Sequence, residues 1–189
     1  MSLPLAETLR SEAGHQSAEP GETLDGAMEE HWSSVCETLY YLVGDWDEAQ
    51  DLALETFWRL HKRAPHRLQD FSNLGGWLYR VATNLGLNAL RARRRRQAYE
   101  EEAAAHRLDR AAPVDPEDEL ERRETREQVR HVLSHMKRRK AQLLMLRHTG
   151  HSYAEIAGIL SVSPSSVGTL LARAEKDFER RYRALEDVP

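Results

Sequence analysis

Between Leu74 and Gln97 apolar residues recur at helical spacing on one side and polar or cationic residues fill the other, and this stretch limits the folds open to the chain. Leu74, Trp77, Leu78, Val81, Ala82, Leu85 and Ala89 stand three or four residues apart, which places them on one stripe of a helix. Tyr79, Arg80, Thr83, Asn84, Asn88 and Arg91 take the opposite face, and Arg93, Arg94, Arg95 and Arg96 follow. A buried stripe backed by Asn and Arg and ending in a cationic run fits a helix laid along a nucleic-acid backbone. It also fits a core helix with a solvated basic tail.

The distribution of charge bears on that choice. The net charge of −4 conceals four blocks of alternating sign. Residues 1–55 carry 13 acidic side chains against Arg10, and residues 56–99 carry 10 basic ones against Asp70. Residues 100–128 are acidic again (11 against 5), and residues 129–189 are basic (11 against 6). Two basic blocks separated by acidic ones suggest two contact points on a polyanion, with acidic surface left for basic partners. A chain of 189 residues holds one domain or two small ones. No apolar run reaches the ~18 residues of a membrane span, and no charged-then-apolar signal opens the chain, so a cytoplasmic location is expected. The single cysteine, Cys36, excludes an internal disulfide and reads as buried filler.

In chain order, residues 1–25 show no sustained period and read as a mobile leader. From Ala27 a helical stripe runs through Met28, Trp32, Val35, Cys36 and Leu39 to Leu42 or Val43, and Gly44 ends it. A second helix covers 45–64, capped by Asp45 or Asp47 and stopped by Pro65, with Ala49, Leu52, Ala53, Thr56 and Leu60 facing inward. Glu48, Asp51 and Glu55 form an acidic stripe on it. That stripe either complements the helix dipole or docks a basic partner. A polar loop with His66, Arg67 and Phe71 leads to Ser72 or Asn73, either of which can cap the helix from Leu74. Gly75 and Gly76 each weaken its first turn by ~1 kcal/mol relative to Ala, which marks either a close approach or a loose start. Residues 98–118 are acidic and Ala-rich with Pro113 and Pro116, and read as a flexible linker. Helical patterning resumes near Leu120. His31 with Cys36, and His131 with His135, lack the spacing or the third ligand of a metal site. No catalytic group and no cofactor is expected.

The most specific local signal lies near the C-terminus. Ser152 and Glu155 have capping-box spacing, and Tyr153, Ile156, Ala157 and Leu160 supply the buried face of a short helix. Ser161 to Ser163 form a tight turn. Pro164, with Ser163 as cap, opens a helix carrying Val167, Leu170, Leu171 and Ala174. Two short helices, a three-residue turn and a small residue at their crossing describe a helix-turn-helix, or an ordinary helical hairpin.

Four stretches, "DEAQDLALETF", "GWLYRVATNLGLNALRARRRR", "LLMLRHTGHSYAEIAGIL" and "VGTLLARAEKDF", together resemble the extracytoplasmic-function sigma factors of bacterial RNA polymerase, of the sigma-70 family. The resemblance implies an all-α chain of two small helical domains joined by a flexible acidic linker. A leader (1–25) would precede a sigma region 2-like domain (26–97), a linker (98–118) and a sigma region 4-like helix-turn-helix domain (119–185). It implies a transcription initiation factor without enzymatic activity that binds core RNA polymerase, recognises minus-ten and minus-thirty-five promoter elements and helps open the DNA. The alternatives are a helix-turn-helix regulator independent of polymerase, or a polymerase-bound protein without promoter specificity. The partners implied are the β′ coiled coil and β flap regions of polymerase, promoter DNA and an anti-sigma protein.

By position, Glu48, Asp51 and Glu55 match the polymerase-docking helix, with Phe57 there for packing. His66, Arg67, Phe71, Trp77, Arg80, Asn84, Asn88, Arg91, Arg94 and Arg95 match the minus-ten surface, with Trp77 mainly core. Ser163, Ser165, Ser166, Thr169, Arg173 and Lys176 match the minus-thirty-five surface. Leu54 stands where the family usually has Gln, and Asn88 where it often has Asp. Gly168 and Leu170 stand where Lys and Arg are common, and Ser161 replaces the usual turn glycine. The loss of two cations predicts weak minus-thirty-five binding.

Overall fold

Helix signals dominate the chain, and the computed structural model is helical wherever it has regular structure. It describes residues 23–63, 68, 71–104 and 117–186. In order these form α1 (Leu24–Val43), α2 (Trp46–Arg63), α3 (Leu74–Ala104), α4 (Glu117–His135), α5 (Arg138–His148), α6 (Tyr153–Leu160) and α7 (Pro164–Glu186), with no strand among the described residues.

Local hydrogen bonds explain where the helices begin and end. Thr23 caps α1, its Oγ1 accepting from Gly26 N at 3.1 Å. The helix therefore starts at Leu24, inside the segment expected to be leader. Residues 1–22 lie outside the described residues. Gly44 ends α1 at φ 78°, and its N–H donates to the Tyr40 carbonyl at 2.8 Å. A Cβ on Gly44 would come within 2.6 Å of the Arg130 guanidinium, the movable end of a long side chain, so it is the backbone angle that favours glycine. Asp45 caps α2 by accepting from Glu48 N at 2.8 Å. Asn73 caps α3, its Oδ1 accepting from Gly76 N at 2.6 Å. A Cβ on Gly76 would overlap that amide, so glycine here makes room for the cap.

One expected boundary moves. Composition puts the linker at 98–118, yet α3 continues to Ala104 and α4 already begins at Glu117. The sequence "AYEEEAA" contains no Gly or Pro and consists largely of strong helix formers, so it extends the helix. Residues 105–116, with both prolines, lie outside the described residues.

Two apolar clusters hold the helices. In the first, Leu39 and Leu42 of α1, Phe57 and Leu60 of α2, and Leu78, Ala82 and Leu87 of α3 are buried. Gly86 permits the close crossing of α1 and α3, since a Cβ there would lie 2.6 Å from Leu42 Cδ1. Val132, Leu133 and Met136, from α4 and its C-terminal end, and Ala141 and Met145 of α5 belong to this same cluster. Burying a side chain of that size contributes ~1.5–3 kcal/mol, so the two helical units share a core rather than merely touch. The second cluster joins α5, α6 and α7 through Leu143, Leu146, Ile156, Ile159, Val167 and Leu171, and Tyr79 of α3 packs against it.

Candidate polymerase and nucleic-acid interfaces

The outer face of α2 is acidic at one end and apolar at the other. Its inward residues Ala49, Ala53, Thr56, Phe57 and Leu60 are buried, and Phe57 meets Trp32 at a centroid distance of 5.9 Å, a packing role as expected. Asp47, Asp51, Leu54 and Trp58 are exposed. Leu54 and Trp58, one turn apart, are 53% and 51% exposed, which sets a hydrophobic patch beside the acids. Lys62 lies over the Trp58 ring at 4.9 Å. Trp58 was missed in the sequence, although its position off the inward stripe and four residues after Leu54 was a usable signal. Glu55 is half-exposed and accepts from Arg59 at 2.8 Å. Glu48 departs from the expected stripe, because its carboxylate pairs with Arg93 of α3 at 2.5 Å. Arg93 also donates to the Val43 carbonyl at 2.9 Å, placing a cation at the C-terminal end of α1, whose own last turn has none.

The α3 face differs more from expectation. His66 and Arg67 lie outside the described residues. Phe71 packs edge-on against Trp77 at 5.5 Å, and Trp77 leans on the first cluster, as a core residue does. The remaining polar residues are engaged by the C-terminal helices. The Arg80 guanidinium donates to the Ile159 carbonyl, to the Gly158 carbonyl at 3.2 Å and to Ser161 Oγ at 2.8 Å. Thr83 is fully buried, and Gln142 Nε2 donates to its hydroxyl and to Asn84 Oδ1, both at 3.2 Å. Asn88 Oδ1 accepts from Arg138 at 3.0 Å. Arg91 and Arg94 donate to the carbonyls of Met136 and Ser134, each at 3.0 Å. Tyr79 stands edge-on to His151 at 4.4 Å. Arg95 is exposed. The face read as free for a DNA strand is thus partly engaged: carbonyls near two helix ends accept from its arginines, while Asn88 and Arg95 stay exposed.

On α7 the expected residues remain outward. Ser163, Ser165, Thr169, Arg173 and Lys176 are exposed and Ser166 is half-exposed, while Val167, Leu171, Ala174 and Asp177 face inward. Ser163 Oγ lies 3.0 Å from Ser165 Oγ and 2.7 Å from Ser166 Oγ, which clusters three hydroxyls at the start of the helix. Asp177 orients α7 by accepting from Lys140 of α5 at 3.0 Å and from Arg180 and Arg181 at 2.6 and 3.3 Å. The Lys140 hydrogen bond, with Arg181 and Arg180, holds its carboxyl below the usual carboxylate range. The capping box on α6 is present as read, with Glu155 Oε2 2.7 Å from Ser152 N, and this pairing lowers the Glu155 carboxyl. Elsewhere, Cys36 is buried, which raises its thiol. The His131 and His135 rings lie 4.4 Å apart, with His135 Nδ1 2.9 Å from the His131 carbonyl.

Comparison with known proteins supplies the decisive observation. Residues 27–96 match Sigma-70 region 2, and residues 126–178 match Sigma-70, region 4, in that order along one chain. The chain belongs to the sigma-70 family. Its relatives include sigma factors of the extracytoplasmic-function group. It is similar to the ECF RNA polymerase sigma factor SigE of Mycolicibacterium smegmatis, 29% identical over 90% of this chain and 65% of that protein. It is also similar to the ECF RNA polymerase sigma factor SigG of Mycobacterium tuberculosis, 30% identical over 88% of this chain and 52% of that one. The chain therefore spans between about half and two thirds of the length of these relatives. CnrH, solved in complex with the cytosolic domain of CnrY, shares the fold at TM-score 0.52 and 18% identity, over 85% of this chain and 88% of that one.

Within this sigma-70 member, the positions that depart from the family pattern have specific surroundings. Ser161 holds the left-handed turn at φ 53°, the one non-glycine with positive φ among the described residues. Leu170 is half-buried against the second cluster, and a Cβ on Gly168 would meet the Tyr153 ring at 3.6 Å. Leu54 points to solvent. No helix among the described residues is long and apolar enough to cross a membrane.

Proposed function

We propose that this protein is a transcription initiation factor that binds core RNA polymerase, directs it to promoters through minus-ten and minus-thirty-five elements and assists strand opening without covalent chemistry of its own. The observation that carries this reading is the order of the two matched regions, combined with an exposed acidic and apolar face on α2 and an exposed cationic face on α7. In this reading Asp51 and Glu55 meet a basic segment of polymerase, and Leu54 and Trp58 supply the apolar centre of that contact. The polar face of α3, with Phe71 and the Arg94–Arg95 end, follows the minus-ten strand, where phosphate contacts and base stacking offset the few kcal/mol that unstacking costs. The α7 hydroxyls, Arg173 and Lys176 lie against the minus-thirty-five duplex. The factor acts in the cytoplasm, and an anti-sigma protein is its expected inhibitor.

The test combines the protein with core polymerase and a promoter library. Promoter-specific run-off is the expected result. Duplex binding without polymerase, or complex formation without specific initiation, would instead support one of the two alternatives. Reversing Asp51 and Glu55 to lysine should weaken polymerase association at least about tenfold while leaving the helical signal intact, since two like-charge contacts replace two attractive ones. Unchanged association would reduce the acidic stripe to a solvated face.

A further inference from the structure

We propose that the cavity between α3 and α4 binds a nucleoside phosphate, its terminal phosphate held by Arg93, Arg94 and Arg130. This goes beyond the initiation-factor reading and does not depend on it. Gln128 and Arg130 belong to α4, which carries none of the proposed promoter contacts, and of the three arginines only Arg94 is shared with the minus-ten set.

The first support is a guanidinium without a protein partner. Arg130 is half-buried, yet it makes no hydrogen bond or ion pair among the described residues. Burial lowers its guanidinium from the usual value; Glu127 opposes that shift, and the charges of Arg93 and Arg126 add to it. A cation withdrawn from water without a partner is costly, and an anion set against it removes much of that cost.

The second support is convergence. The Arg130 guanidinium lies beside Gly44, at the end of α1 where Arg93 donates to the Val43 carbonyl at 2.9 Å. Arg94 lines the same cavity and directs one N–H to the Ser134 carbonyl at 3.0 Å. A guanidinium offers five N–H donors, so these bonds and the pairing of Arg93 with Glu48 leave most of them available. Forked N–H donors match phosphate oxygens, and several cations around one point favour a terminal phosphate dianion over the monoanionic diester of a nucleic-acid backbone.

The third support is size and lining. The cavity measures about 420 Å³, within the roughly 300–1,000 Å³ of small-molecule sites and more than a phosphate alone would fill. Leu90 and Leu185 supply apolar wall, and the Gln97 and Gln128 amides bring both donors and acceptors. That combination suits a planar heterocycle with polar edges, as in a nucleobase. Glu127 also lines the cavity and is exposed, so its carboxylate is the group an entering anion must displace.

The test is calorimetric titration of the full chain with ADP and GDP. Adenosine, inorganic pyrophosphate and a short oligodeoxynucleotide without terminal phosphates form the other arms. At least one nucleotide should bind, and each of the other three should bind at least about tenfold more weakly. Arg130→Gln should weaken nucleotide binding at least about tenfold, and Arg130→Lys less, because an ammonium keeps the charge but loses the fork. Glu127→Gln, a change at an exposed position that leaves the fold intact, should tighten binding about threefold by removing a like charge. The proposal is overturned if neither nucleotide binds, or if both variants bind as the wild type does. Pyrophosphate that matches the nucleotides also overturns it, as does an oligonucleotide with the same dependence on Arg130, which would give the cavity to a DNA strand. Promoter-specific run-off is read separately and tests the initiation-factor reading on its own.

Discussion

Helices α3 and α7 are built alike, each with an apolar stripe on one side and a polar, cationic face on the other, but the two faces have opposite fates. On α7 the buried residues Val167, Leu171, Ala174 and Asp177 use up one side, and Ser165, Thr169, Arg173 and Lys176 stay in solvent. On α3 the apolar stripe closes the first cluster while Tyr79, Arg80, Thr83, Asn84, Asn88, Arg91 and Arg94 meet the C-terminal helices. The difference arises from helix ends. The carbonyls of Gly158 and Ile159 close α6, and those of Ser134 and Met136 lie at the end of α4; all four face α3, whose arginines are long enough to reach them. The two faces thus differ in whether carbonyls near a helix end lie opposite them.

The strongest challenge to this comparison is a core substitution in the C-terminal unit read from the N-terminal one. All four tryptophans, Trp32, Trp46, Trp58 and Trp77, lie in α1–α3, whereas Leu133 comes from α4 and is buried in the shared cluster. Leu133→Ala should lower stability by ~3 kcal/mol, and the loss should appear in the tryptophan-monitored denaturation curve. If that transition does not move, α3 is not held by its covering helices.

Asp177 comes next, because it fixes which side of α7 turns inward. Asp177→Asn should cost ~2 kcal/mol by leaving Lys140 and Arg181 without their carboxylate. The folded carboxyl titrates below its unfolded value, so its contribution is present above the unfolded pKa of ~3.9 and is lost as pH falls through the lower folded value. Acid titration of the wild type against Asp177→Asn should show that component vanish in the variant.

A smaller effect separates the two faces by function. Arg173→Ala and Lys176→Ala should each reduce the salt slope of duplex binding by about one, with no change in tryptophan fluorescence, since neither side chain contacts α3 in any described hydrogen bond. A fluorescence change would mean that these side chains also support the packing of α7 on the rest of the chain. The smallest effect is expected at Glu48. Its pair with Arg93 is about one-third exposed, so Glu48→Gln should cost no more than ~0.5 kcal/mol and leave polymerase association intact. A loss comparable to the Asp51 and Glu55 reversal would return Glu48 to the docking stripe.

Much of this molecule was legible from residues alone where the cause is local. The caps, narrowed to Asp45 or Asp47 and to Ser72 or Asn73 and found at Asp45 and Asn73, the Ser152–Glu155 capping box, the Gly44 stop and the Pro164 start each depend on atoms a few residues apart, so their spacing carries the information. The inward stripes of α2 and α7 followed from the same periodicity. Boundaries were less secure where composition stood in for hydrogen bonding. Acidic "AYEEEAA" read as linker and is helix, and Leu24 with Asp25 read as leader and is the first turn of α1.

Residues alone determined an all-helical chain, the pair of helices after Ser152 and the inward stripe of α7, because helical period and capping are short-range, while the family rested on the resemblance carried by four motifs. Tertiary structure alone decided that Glu48 faces Arg93 and that the arginines of the polar face of α3 are engaged. Those outcomes depend on carbonyls and side chains about 40 to 80 residues away. A backbone carbonyl has no residue type, so no spacing in the sequence could announce which arginine it would take.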